Sequence, residues 1–303
     1  MAVIQHWENG EFAFKEAIAR LTAMSQQAAA DGLVIDQGRA EQILAYVQHY
    51  RGNLDASIHH NERARALYAR GKNQRRVGII DLNQGENFRF KGDFARAVRL
   101  FQQARRTAER YEDITTQTMA TVNEGLVLLT LRQDMEARRV LLEGLELTNH
   151  YPSEREIDRT QLRRILCEIH HGMAVINLRA GDMANAWDEA RRALEIAEDT
   201  GDPILRGYAY RTIGEVITEY GKSPDPRYSS DPDDHFRVAL EAFNSLNAEA
   251  EIARTMYAQA LSLAARGRRT TAARKLQHVM IAFSRLGMVD DAARAAEAQL
   301  SMT

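Results

Sequence analysis

Asn83-Gln84-Gly85-Glu86-Asn87-Phe88-Arg89-Phe90-Lys91-Gly92-Asp93-Phe94-Ala95-Arg96-Ala97-Val98 reads as the end of one helix, a tight turn at Gly92-Asp93 and the start of a second helix. The same pattern recurs on both sides of it. A small residue in the middle of a first helix appears as Ala45, Gly85, Gly125, Ala174, Gly214 and Ala260. Seven residues after each comes the turn position: Gly52, Gly92, Arg132, Gly181, Gly221 and Gly267. Both series step by 40, 40, 49, 40 and 46 residues. A third series, Ser57, Ala97, Ala137, Ala186, Ala239 and Ala272, marks the early part of each second helix. Self-similarity at a period of this size is the signature of a solenoid built from stacked hairpins.

Each feature has a physical cause. Two helices of one hairpin approach closely only where a side chain is small. A glycine at a helix end accepts the left-handed conformation without steric cost. Asp93 and Asp182 follow such a glycine, where a carboxylate caps the free N–H groups of the next helix. Large apolar residues such as Phe101, Leu141, Phe243 and Leu276 are expected to fill the gaps between neighbouring pairs.

A small residue, a seven-residue step to Gly-Asp and then an aromatic-x-x-Ala resembles the tetratricopeptide repeat. Phe94-Ala95-Arg96-Ala97 and Met183-Ala184-Asn185-Ala186 carry the likeness, while Arg132-Gln133-Asp134 lacks the turn glycine. The short form of that family repeats every ~34 residues. A period near 40 is similar to the long-helix form of bacterial signal-sensing regulators, including peptide-sensing ones and the sensor regions of large ATPase activators. Ala282-Phe283-Ser284-Arg285-Leu286-Gly287-Met288, followed by Asp290-Asp291-Ala292-Ala293-Arg294, resembles the end of such a region. The resemblance covers roughly residues 37–303 and implies an all-α fold: a right-handed superhelix of about six hairpins with terminal capping helices. It implies little about function, because such repeats bind many unrelated partners.

Composition narrows the class. The chain has 303 residues, 45% hydrophobic and 27% charged, with a net charge of −2, so no overall basic field argues for nucleic acid. Thirty-five of the 40 basic residues are arginine, which fits a GC-rich genome better than a phosphate-binding surface. The single cysteine, Cys167, excludes an intramolecular disulfide and a cysteine metal cluster, and its place on a helix suits a buried small residue. No apolar run reaches the ~20 residues of a membrane span, and Met1 opens no basic-then-apolar leader, so the cytoplasm is the expected compartment.

In order along the chain, residues 1–36 hold a helix from Glu11 to about Ala30, with Phe14, Ala17, Ile18, Leu21 and Met24 at helical spacing. It is either an N-terminal cap or the second half of a repeat from a longer protein. The repeats occupy 37–288 and a capping helix 289–303. Hairpins are expected at 37–51 with 54–70, 74–91 with 94–111, 113–131 with 134–149, and 155–180 with 183–199. Pro152 breaks the chain before the fourth of these. Helix 204–220 leads into Lys222–Asp234, which holds Pro224, Pro226 and Pro232 and reads as a mobile insertion with Tyr228 its only aromatic. Segments 235–247, 249–266, 270–286 and 289–301 complete the array.

Motifs for chemistry are weak. Gly221-Lys222-Ser223 after Gly214 lacks the spacing, strand and helix of a phosphate loop. Glu168-x-x-His171 has no second copy, and His59 and His60 point to different faces of a helix, so no metal site and no cofactor is expected. No nucleophile motif or carboxylate pair stands out, and no enzyme is expected. The basic run Arg63, Arg65, Arg70, Lys72, Arg75 and Arg76 reads as a solvated convex face.

The candidates for binding lie on the first helices, which line the concave side in this architecture. Counting from each small residue selects Tyr46, His49, Tyr50, Asn83, Glu86, Arg89, Asn123, His171, Tyr208, Arg211, Glu215, Arg254 and Tyr257. Asn is costly in a helix interior, yet Asn83 and Asn123 stand 40 apart at equivalent places. In related repeats such amides clamp the backbone of an extended peptide. Arg89 and Arg211 suit carboxylates of a partner, with Glu86 holding Arg89 when the groove is empty. The expected function is recognition of a protein or peptide segment in the concave groove, as scaffold or regulator. The alternatives are the effector-sensing portion of a larger ATPase or transcription regulator, and a constitutive subunit of a larger complex.

Overall fold

The structure is a computed structural model and describes residues 14–50, 53–152, 154–246 and 248–302. Among them are fourteen helices and no strand. They are α1 (Phe14–Ala30), α2 (Val34–Tyr50), α3 (Leu54–Arg70), α4 (Gln74–Lys91), α5 (Phe94–Arg110), α6 (Ile114–Thr130) and α7 (Asp134–Thr148). Then come α8 (Glu156–Arg179), α9 (Met183–Thr200), α10 (Pro203–Tyr220), α11 (Pro232–Ser245), α12 (Glu249–Ala265), α13 (Arg269–Arg285) and α14 (Val289–Leu300). Internal contacts divide the chain into two units, one ending at Asn123 and the other starting at Glu124, with α6 running through the division.

Within each unit the helices pair in sequence: α2 with α3 and α4 with α5 in the first, α8 with α9, α10 with α11 and α12 with α13 in the second. The small residues sit where the pairs cross. Ala45, Ala174 and Ala260 are buried, and a Cβ added at Gly85 would lie 2.5 Å from Cε1 of Phe101. At Gly125 it would lie 2.8 Å from Leu141, and at Gly214 3.0 Å from Phe236. Phe101 and Phe243 therefore press on the first helix of their own hairpin, Phe243 against Gly207, rather than only filling the gaps between pairs. Burying each such side chain contributes ~1.5–3 kcal/mol. Ser57, Ala97, Ala137, Ala186, Ala239 and Ala272 are all buried at the same crossings.

The turns follow the expected chemistry. Gly92 has φ +81°, and the Asp93 carboxylate accepts the N–H of Arg96 at 3.1 Å. Asp182 caps α9 through the N–H of Asn185 at 3.3 Å. Arg132, where the series has no glycine, still adopts φ +62°. Gly52 lies outside the described residues. The 24-residue α8 accounts for the 49-residue step.

Three expectations need correction. In α1, Ala17 and Leu21 are buried but Met24 is half exposed, and residues 11–13 lie outside the described part. The proline-rich segment ends at Asp231, not Asp234. Pro232 starts α11 because its missing N–H costs nothing in a first helical turn, and Asp231 caps the helix. The segment is also anchored. Tyr228 meets Trp187 edge-on at 5.5 Å, Ser229 O lies 2.9 Å from Nε2 of His235, and Arg266 reaches Asp231 at 3.0 Å and Asp233 at 2.9 Å. Finally, the basic run is not simply solvated. Arg63 pairs with Glu41, Arg65 with Asp81 and Arg75 with Asp113, all three carboxylates being buried.

Candidate functional site

Geometry inside the second unit identifies its inner face. Successive first helices α8, α10 and α12 touch one another, and no comparable contact links successive second helices among the described residues. A row of hairpins whose first helices approach more closely curves around them, so their shared face is the inner one.

In the first unit the candidates separate into held and unheld groups. His49 Nδ1 lies 2.7 Å from Oδ1 of Asn87, whose Nδ2 donates to Ser57 Oγ at 3.0 Å, and Ser57 Oγ donates to Ala45 O at 2.8 Å. The His49 ring also stands edge-on to Phe90 at 5.1 Å. This chain ties α2, α3 and α4 together and makes Asn87, which the sequence reading passed over, a structural residue. Arg89 donates to Glu86 at 2.8 Å and lies over Phe90, so the expected Glu86–Arg89 pair forms. Tyr46 is partly exposed, and the Tyr50 side chain lies outside the described part. Asn83 is half-buried and Asn123 buried, and neither amide makes a hydrogen bond among the described residues.

In the second unit the candidates form one connected set. His171 stacks on Tyr208 at 5.5 Å, and its Nδ1 lies 2.6 Å from Thr212 Oγ1. The Arg211 guanidinium lies 5.3 Å from the Tyr208 ring centre and donates to Glu251 at 2.7 Å. Arg254 donates to the other oxygen of Glu251 at 2.7 Å and to Asp291 at 3.2 Å, and Arg294 completes the ladder on Asp291. Burial alone would push the Glu251 carboxyl up, but the Arg254 and Arg211 guanidinia reverse this and hold it at about 2. Arg211 and Arg254 are therefore committed inside the protein, not open to a partner's carboxylate.

Glu215 behaves differently. It makes no hydrogen bond among the described residues, and burial raises its carboxyl above the usual range against the pull of Arg211, Arg179 and Arg132. Burial likewise raises the Tyr257 hydroxyl, with Arg294 and Arg132 acting in the opposite sense. No group of three metal-ligating side chains occurs among the described residues, and no described helix is long and apolar enough to cross a membrane.

These paired helices, crossing at small residues, match solved structures. The fold is the tetratricopeptide-type helical repeat. The chain overlays a Rap protein complexed with competence and sporulation factor with a TM-score of 0.63 and 11% identity, covering 95% of this chain and 79% of that one. It overlays the Rap conjugation gene regulator of plasmid pLS20, in complex with a Phr peptide, with a TM-score of 0.66 and 13% identity over 96% and 74%. Aspartyl phosphate phosphatase F from Bacillus subtilis gives 0.64 and 14% over 84% and 61%. At such identities the likeness is one of fold. No family model and no curated protein matches the sequence.

Proposed function

We propose that this helical-repeat protein is a non-catalytic regulator or scaffold that takes a peptide segment of a partner along its first helices. One observation carries the reading. Asn83 and Asn123 occupy equivalent places on α4 and α6, and neither amide has a hydrogen-bond partner among the described residues. Neither amide is among the buried polar atoms left unsatisfied, so both stay open to bond an extended backbone, to which the side chain offers a donor and an acceptor together. Support also comes from the fold, because two of the similar structures hold a peptide or a sporulation factor.

The test is capture of a labelled random heptapeptide pool by the wild-type protein and by the double variant Asn83→Ala with Asn123→Ala. Each truncation is expected to cost ~0.5–3 kcal/mol of binding while leaving the melting curve near wild type. Retained peptides that bind the double variant equally well, but lose affinity on charge reversal at exposed Arg70, place binding on the outer face and refute the reading.

A further inference from the structure

The net charge of −2 conceals a division along the chain. Residues 14–123 carry 17 Lys and Arg against 12 Asp and Glu, whereas residues 124–303 carry 23 against 28. A GC-rich genome enriches arginine everywhere, but it does not sort charge by position. Helix α5 has five arginines and one acid, and α9 has two arginines and five acids. A charge asymmetry of this kind points to a polyanionic partner for the basic part.

Within the first unit the excess gathers at one end of the hairpins. Arg75 Nε donates to Asp113 Oδ2 at 2.9 Å, and a Cβ added at Gly78 would lie 2.7 Å from Cγ2 of Thr107. These contacts bring the turn between α3 and α4 against the end of α5 and the turn that follows it. Residues 70–76 and 105–113 together carry seven Lys and Arg against three acids. One of the three, Asp113, is buried and taken by Arg75, which leaves exposed Glu109 and Glu112. Arg70, Lys72, Arg106 and Arg110 are exposed and Arg76 is half-buried. None of these five side chains makes a hydrogen bond or ion pair among the described residues. Arg106 and Arg110 lie one turn apart on α5, turned away from buried Phe101, Ala104 and Ala108. Five uncommitted cations therefore share this end with two acids.

The kind of partner follows from what the patch lacks. A protein partner needs a desolvated centre of apolar or aromatic side chains. Tyr111 is the only exposed large apolar side chain in these two segments. A phosphate backbone needs only cations, and arginine forks bind its oxygens in pairs. We propose that this end of the first unit docks the sugar–phosphate backbone of a nucleic acid without reading its base sequence. The proposal goes beyond the peptide reading and does not depend on it, since Asn83 and Asn123 lie about two helical turns or more further along α4 and α6.

The experiment uses the full chain and a fluorescein-labelled duplex of about 20 base pairs and mixed sequence, followed by fluorescence anisotropy from roughly 50 to 200 mM sodium chloride. With about four phosphate contacts, affinity should fall about 100-fold or more across that range. Arg106→Gln with Arg110→Gln should flatten the logarithmic salt slope by about 2 and leave the melting curve near wild type. Arg269→Gln with Arg274→Gln removes two exposed cations of α13 that have no partner among the described residues, and should change neither. Asn83→Ala with Asn123→Ala should leave duplex binding unchanged, so the two readings fail separately. A duplex that does not bind, or that loses equal affinity in the α5 and α13 variants, overturns the assignment. So does a glutamate polymer that displaces the duplex as well as unlabelled duplex does, because an acidic protein surface would then fit the patch equally.

Discussion

Gly85→Ala adds a single carbon and sets two known effects against each other. On helix propensity alone the change should stabilise α4 by ~0.5–1 kcal/mol, since a mid-helix glycine is the poorer helix former. The structure gives the opposite sign. The new Cβ would lie 2.5 Å from Cε1, 2.7 Å from Cδ1 and 3.0 Å from Cζ of Phe101. Carbon atoms rest at ~3.5–4.0 Å, so the ring must retreat by about 1 Å. Phe101 is completely buried, so its retreat displaces other core side chains. Overpacking of this kind costs ~1–3 kcal/mol, which exceeds the propensity gain and leaves a net loss of ~1–2 kcal/mol. Urea unfolding followed by far-ultraviolet circular dichroism reads this directly. The partner variant Phe101→Leu removes the ring atoms that clash, so the cost of Gly85→Ala should shrink in that background, with a coupling of ~1 kcal/mol or more. A rise in the wild-type midpoint on Gly85→Ala, with no coupling to position 101, would refute the crossing geometry.

Further expectations concern the other turns and the charge ladder. Lys72 at φ +53° and Glu112 at φ +51° are exposed left-handed residues with no side-chain partner among the described residues. Lys72→Gly and Glu112→Gly should each raise stability by ~0.5–1 kcal/mol, the relief of strain outweighing the added freedom of the unfolded chain, and a lowered melting temperature would contradict this. Glu251 has a folded carboxyl at about 2 against its usual 4.5, so its stabilisation is fully present above 4.5 and is lost as pH falls from there toward 2. The difference in urea midpoint between wild type and Glu251→Gln should therefore narrow over that window, and a constant difference would count against the ladder.

The fold was legible because its determinants are local and periodic. A small residue, a turn and a second small residue repeat at nearly fixed intervals, and each marks a helix crossing or a helix end that the structure reproduces at Gly85, Gly92 and Ala97. The chemistry of the inner face was less legible because it depends on contacts between repeats. Arg211 could be placed on the right face by counting along its helix, but its state is set by Glu251, 40 residues away. Arg254 depends in the same way on Asp291, and Arg294 on a carbonyl 164 residues earlier. The proline-rich segment misled for a related reason. Prolines correctly signal an interruption of helix, but the anchor is Trp187 in another repeat, which local composition cannot report.

The two units offer different chemistry on their first helices, and the difference bears on how a peptide would be read. In the proposed reading, amides such as Asn83 and Asn123 would address the backbone, which every peptide presents, and would supply affinity with little dependence on sequence. Guanidinia address charge, which only some side chains present. On the second unit most of them are already paired, and a ligand carboxylate gains little from Arg211 or Arg254 because it must first displace Glu251 or Asp291. Breaking a buried pair leaves an uncompensated charge and costs ~3–5 kcal/mol, more than a single new ion pair returns. Selectivity can therefore come only from cations that are not so committed. Removing a ladder arginine should therefore damage the fold before it changes which peptide is taken.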